Sequence, residues 1–153
     1  MYRLQPNAWT CGPTALYNAL TALGVPCSLF GVCKLADIPK HVNFDTTPSL
    51  RMAAGQFGVD FCTEVCTTRE YARSCVRHRY PMLVCVDRDS EGPYAHWIAV
   101  VRATARHVWI ADSARPGPVE RRLTWLQFLD RAGMLMGGEV KYVFHPLVRR
   151  RVA

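Results

Sequence analysis

The chain has 153 residues, half of them hydrophobic and a fifth charged, with a formal net charge of +7. That length suits one domain with a sizeable core, and the balance excludes a disordered chain. Apolar runs such as WIAVV and VWIA are strand-sized and too short to cross a bilayer, and the opening MYRLQPNAWTC lacks the apolar stretch of a secretory signal, so a soluble, cytoplasmic protein is expected.

In chain order, the first predicted element is a helix over 13–23, where Ala15, Leu16, Ala19, Leu20 and Leu23 recur with helical spacing. Pro13 suits its first turn, where a missing N–H costs nothing, and Gly24 with Pro26 stops it. Further helices are expected over 28–35, 47–57 and 68–78, the second with Thr46 or Thr47 as cap and the third with Thr67 or Thr68. A short strand over 59–65 separates the last two. After Pro81 the pattern turns extended: 82–86, 97–102 and 107–111 are apolar runs, joined by a polar turn over 87–93 and a tight connection at 104–106. They read as adjacent antiparallel strands. A helix over 123–131 capped by Thr124 and a strand over 140–144 complete the chain. Helices first and a mostly antiparallel sheet second is an α+β arrangement, with N-terminal helices packed on one side of the sheet. Glycines and prolines are scattered, so no linker is seen; residues 1–146 are taken as one domain and 147–153 as a basic tail.

Part of the basic excess lies in Arg149–Arg151 and in Arg121 and Arg122. The basic residues are not interleaved with aromatics as in a nucleic-acid module, so nucleic acid is not the expected ligand. The charge reads as a solvated face or as a preference for acidic partners. Seven cysteines, at 11, 27, 33, 62, 66, 75 and 85, are an odd number without the spacing of a disulfide framework. The Cys27/Cys33 and Cys62/Cys66 spacings are not those of zinc sites either, and no metal or organic cofactor is expected.

One cysteine stands apart. A thiol that does chemistry must ionise near neutral pH, and the free N–H groups and dipole of a helix N-terminus favour that. Cys11 precedes Gly12-Pro13 and the first helix, and Gly12 permits close substrate approach. A thiolate nucleophile also needs a base and donors for the oxyanion. His96 opens the run HWIAVV and Asp112 follows VWIA. With a turn near 104–106, the start of one strand and the end of the next lie side by side, which brings His96 and Asp112 together as base and orienting carboxylate. Gln5, six residues before Cys11, can supply a side-chain oxyanion donor if the chain loops back through Pro6 and Asn7. His41, His78, His107 and His145 lack such a setting and read as structural or exposed; His107 lies at the far end of the Asp112 strand. Trp9 and Trp97 flank the proposed site.

The set Gln5, TCGPTAL (10–16), AHWIAVV (95–101) and IADSA (110–114) resembles the double-glycine leader peptidase family, papain-like cysteine peptidases that trim bacteriocin precursors. TTPSLRMAAGQFG (46–58) is similar to the family's helix between nucleophile and base, and the likeness spans residues 4–132. It implies a papain-like fold with Cys11 as nucleophile, His96 as base, Asp112 as orienter and Gln5 in the oxyanion hole. The family's domain is usually joined to a transporter; with none following here, a freestanding member is expected. In CGPT, Pro13 and Thr14 stand where smaller residues often follow the family's Cys-Gly. A peptide or protein substrate is implied, cut at a peptide or isopeptide bond. The same thioester would also serve a glutamine deamidase or transpeptidase, and a degenerate member would hold a peptide without cutting it.

Overall fold

The computed structural model describes residues 1–7, 9–37, 46–87, 95–114 and 119–150. Its elements are α1 (Cys11–Ala22), α2 (Leu29–Ala36), α3 (Thr47–Gln56), β1 (Val59–Phe61), β2 (Glu64–Cys66), α4 (Arg69–Arg79), β3 (Met82–Asp87), β4 (Ala95–Ala103), β5 (His107–Ala111), β6 (Glu120–Thr124), α5 (Trp125–Ala132), β7 (Gly133–Met136) and β8 (Glu139–Arg149). The strands form one antiparallel sheet in the order β1-β8-β3-β4-β5-β6, with β2 and β7 also paired to β8. The architecture is α+β, as the order of helical and extended runs implies.

Alternating side chains give the sheet two apolar faces. Leu83, Trp97, Ala99, Ala111 and Leu147 pack against Leu16, Leu20, Val32, Leu50 and Ala53 of α1, α2 and α3. Met82, Val84, Ile98, Val100, Ile110 and Phe144 pack on the other face with Ala72 and Val76 of α4 and Phe128 and Leu129 of α5. The N-terminal helices α1, α2 and α3 lie on one side of the sheet, as expected, and α4 and α5 cover the other. The reason is in the strands: β3 is a continuous apolar run rather than an alternating one, so neither of its faces can be left to water.

The helices start from readable chemistry. Ser28 and Thr68 cap α2 and α4 by accepting from the N–H groups of Gly31 and Tyr71. Thr124 caps α5 in a reciprocal box with Gln127. Replacing Thr124 by alanine is expected to lower stability by about 1 kcal/mol, read as a lower urea midpoint at unchanged slope; an unchanged midpoint would deny the cap that role.

Four expectations shift. α1 begins at Cys11 rather than Pro13, with Thr10 at its cap position and the first intrahelical bond from the Thr14 N–H to the Thr10 carbonyl at 2.9 Å. Pro13 is thus third in the helix, still among the positions whose N–H has no intrahelical partner. The strand expected over 59–65 is two strands, β1 and β2, both on β8. Pro146 lacks an N–H and breaks the ladder between them, while the Cys62 N–H donates to the Pro146 carbonyl at 3.0 Å. β6 and β7 were not expected. β6 carries ERRLT, the charged pattern of a strand at the sheet's edge, and reads as loop by hydropathy. β7 and β8 are joined by Gly137-Gly138 with φ of 62° and 84°, a two-residue hairpin turn that demands glycine. Finally, β8 runs through Arg149 and buries Leu147, so residues 147–149 belong to the sheet rather than to a tail. Residues 88–93 of the expected turn, His41 and residues 151–153 lie outside the described residues. No described helix is long and apolar enough to cross a membrane.

Candidate active site

The sheet's register sets the first pair. β4 runs antiparallel to β5 with Ala99 opposite Ala111, so His96 and Asp112 fall at the same end of the two strands. Asp112 Oδ1 accepts from His96 Nε2 at 2.9 Å. His96 is nearly buried and Asp112 fully so. By strand alternation both share the face of Ile98 and Ile110, the face that α5 covers.

α1 reaches this end of the sheet from the opposite face. Cys11 is its first residue, and its thiol lies in hydrogen-bond reach of the His96 ring and of the Trp97 and Gly12 backbone N–H groups. With Nε2 given to Asp112, the other ring nitrogen of His96 is left to the thiol. Gly12 is packed closely: a Cβ there would stand 3.3 Å from Leu50 Cδ1 and 3.4 Å from Trp97 Cδ1. Its lack of a side chain lets the thiol end of α1 seat against the sheet.

The electrostatics follow. Burial pushes the Cys11 thiol up, but the His96 ring and the two N–H groups outweigh it, and the thiol titrates below its ordinary value. Burial would likewise favour neutral His96; the Asp112 carboxylate and the thiol opposite hold the imidazolium instead, above the ordinary range. Asp112 resists its own burial because His96, the Ala114 N–H and Arg131 all favour the anion, and it sits well below the usual carboxylate range. The pair is thus biased toward thiolate and imidazolium. Cys27, Cys33, Cys66 and Cys75 move the other way through burial, Cys75 up to about 12 beside Cys66. None of the seven cysteines, all among the described residues, is joined in a disulfide.

Gln5 is held next to this group. Its N–H donates to the Ser113 carbonyl at 3.2 Å, and Ser113 Oγ donates to its Oε1 at 3.1 Å. Gln5 Nε2 donates to the Asn7 carbonyl at 3.0 Å, which uses one of its two hydrogens. Buried Asn18 of α1 fixes the same segment, accepting from the Arg3 N–H at 2.8 Å and donating to the Arg3 carbonyl at 3.2 Å.

Two participants were missed in the sequence. Asn18 looks like an ordinary polar residue of a helix, and only its burial reveals it. Arg131, in the last turn of α5, donates through a terminal nitrogen to Asp112 Oδ2 at 3.2 Å. A basic residue near a helix C-terminus is common, so nothing in the sequence marks this one. Of the other histidines, His145 is buried between Phe61 and Trp97, with ring centroids 5.0 and 5.3 Å away, and meets Thr63 Oγ1 at 3.1 Å through Nδ1. His107 stacks edge-on against Trp109 at the far end of β5. Trp97 is buried and Trp9 exposed. Among the described residues no His, Cys, Asp and Glu side chains gather as a metal site would require.

No protein-family model matches the sequence, and no curated protein matches it. Solved structures do match. The peptidase domain of Streptococcus ComA, a bi-functional ABC transporter involved in a quorum-sensing pathway, aligns over 98% of this chain and all of its own length, with a TM-score of 0.68 and 17% identity. A double-glycine motif protease from an AMS/PCAT transporter, solved in complex with the leader peptide, aligns over 95% of this chain and 91% of its own, with a TM-score of 0.62 and 14% identity. The peptidase domain of Streptococcus mutans ComA aligns over 93% of this chain and 97% of its own, with a TM-score of 0.56 and 16% identity. This chain has the fold of those peptidase domains.

Proposed function

We propose that the protein is a papain-like cysteine peptidase with Cys11 as nucleophile, His96 as acid–base and Asp112 as the residue that orients the histidine. The observation that carries this reading is the His96 ring, bound on one side by Asp112 Oδ1 at 2.9 Å and in reach of the Cys11 thiol on the other. In this mechanism the Cys11 thiolate attacks the carbonyl carbon of the scissile bond. The Cys11 N–H at the mouth of α1 and the second Nε2 hydrogen of Gln5 stabilise the oxyanion. His96 gives its proton to the leaving amine, then takes one from the water that opens the thioester. The likeness to double-glycine proteases makes a peptide ending in two glycines before the scissile bond the first substrate to try. The domain is proposed to work without a cofactor.

The test is brief, limiting iodoacetamide at neutral pH, read by mass spectrometry in the wild type and in His96→Ala. Cys11 is expected to label about tenfold faster or more than exposed Cys62, and to lose that advantage in the variant. A Cys11 no more reactive than Cys62, and indifferent to His96, sinks the catalytic reading. A domain that holds a peptide without cutting it would then replace it.

A further inference from the structure

Asp112 carries more than the bond to His96 that the reading above uses. Its Oδ1 accepts from His96 Nε2 at 2.9 Å and from the Ala114 N–H at 3.3 Å, while its Oδ2 faces a nitrogen of Arg131 at 3.2 Å. The carboxylate is fully buried, and the Arg131 side chain keeps 18% of its surface. Among the described residues the contact is a single point rather than a fork, since Arg131 Nε is buried with no partner there. Arg131 arrives from α5, on the sheet face opposite to the helix that carries Cys11. We propose that Arg131 is a positioning residue that fixes the Asp112 carboxylate and, through its charge, sets the pH window in which Cys11 and His96 stand as thiolate and imidazolium. The inference rests on the peptidase reading and adds to it a determinant of the same site.

The sign follows from the order of charges. Asp112 lies between two cations, so each draws on one carboxylate. Removing the guanidinium takes one cation away from the carboxylate and from His96, which makes the imidazolium harder to deprotonate. It also removes a positive charge from the neighbourhood of Cys11, which makes the thiolate easier to protonate. Both limbs of the profile therefore move to higher pH. The described charged groups of the cluster are Cys11 from α1, His96 from β4, Asp112 at the end of β5 and Arg131 from α5, with half-buried Arg121 of β6 opposite Ile110 on the same sheet face. From β3, opposite His96, comes the apolar Val86. Glu120 of β6 pairs with Ala111 and is exposed, and Asp130 of α5 is taken by Arg69.

The experiment is the rate of Cys11 alkylation against pH for the wild type, Arg131→Gln and Arg131→Lys, with peptide cleavage followed over the same range. In Arg131→Gln the acid limb of labelling and both limbs of cleavage are expected to rise by about half a pH unit, and in Arg131→Lys to return toward the wild-type positions. If the glutamine variant does not fold, Arg131→Met supplies the neutral side chain with the apolar stem retained. Superimposable profiles for the wild type and the neutral variant overturn the proposal, as does a lysine variant that follows the neutral one. A wild-type Cys11 without enhanced labelling is a different result and counts against the peptidase reading itself.

Discussion

Alanine in place of Cys11 is expected to lower cleavage of a double-glycine peptide by about 10⁴-fold or more, the scale seen when a nucleophile is deleted from a unit that works through it. Four of the other thiols are poor substitutes. Cys66 and Cys75 are buried with their thiols pushed toward the neutral form, and Cys27 and Cys33 shift in the same direction. Cys11→Ser is expected to fall nearly as far, because the site favours an anion on sulfur by hydrogen bonds suited to a thiolate and does little for a hydroxyl of far higher pKa. Time-resolved mass spectrometry of the peptide gives the rates, and circular dichroism checks that the half-buried position leaves the fold intact. A variant that retains a tenth of the wild-type rate removes Cys11 from the mechanism.

The second large effect is at Asp112. Both of its oxygens accept, one from His96 and one from Arg131. Asparagine offers one acceptor and one donor, so one of those two partners must face an N–H. Asp112→Asn is therefore expected to slow cleavage by about 10²-fold to 10⁴-fold and to lower stability by about 1–3 kcal/mol, since the Arg131 cation loses its counter-charge. Alanine should cost more stability than asparagine, because neither partner is then met. The stability gap also has a pH dependence with a fixed sign. A carboxylate whose folded pKa is depressed contributes stability above its unfolded pKa and loses it as pH falls toward the folded value. The gap between wild type and Asp112→Asn should thus be full at neutral pH and shrink below about pH 4. Equal urea midpoints at neutral pH would show that the buried carboxylate is not stabilising the fold.

Much of this is legible in the sequence. The helices announced themselves through caps such as Thr68 and Thr124, which are local chemistry. The meeting of His96 and Asp112 follows from a tight turn between two apolar runs, with a bulge between Val100 and Arg102 that shifts the register by one residue on the way. What stayed hidden depends on elements far apart in the chain. Arg131 gains its role because α5 returns across the sheet to Asp112, and Asn18 because the N-terminal segment lies along α1. β6 was missed since its charged residues belong at an edge, and only its neighbour β5 makes it a strand. The covering of both sheet faces was written in the unbroken apolar runs, where a one-sided sheet would alternate.

The place of β8 bears on when the protein becomes reactive. Although last of the described strands in sequence, it lies inside the sheet, between β1 and β3, and also holds β2 and β7. A chain leaving the ribosome exposes Cys11 early, when no histidine stands beside it and the sulfur is an ordinary thiol. His96 follows much later, and the strand that carries it rests on β3, whose other edge stays open until β8 arrives. Contacts this distant in sequence form late, after the whole domain is available. The Cys11 thiol is thus made first and meets the His96 ring last, so a nascent chain does not hold the two together alongside its own unfolded segments.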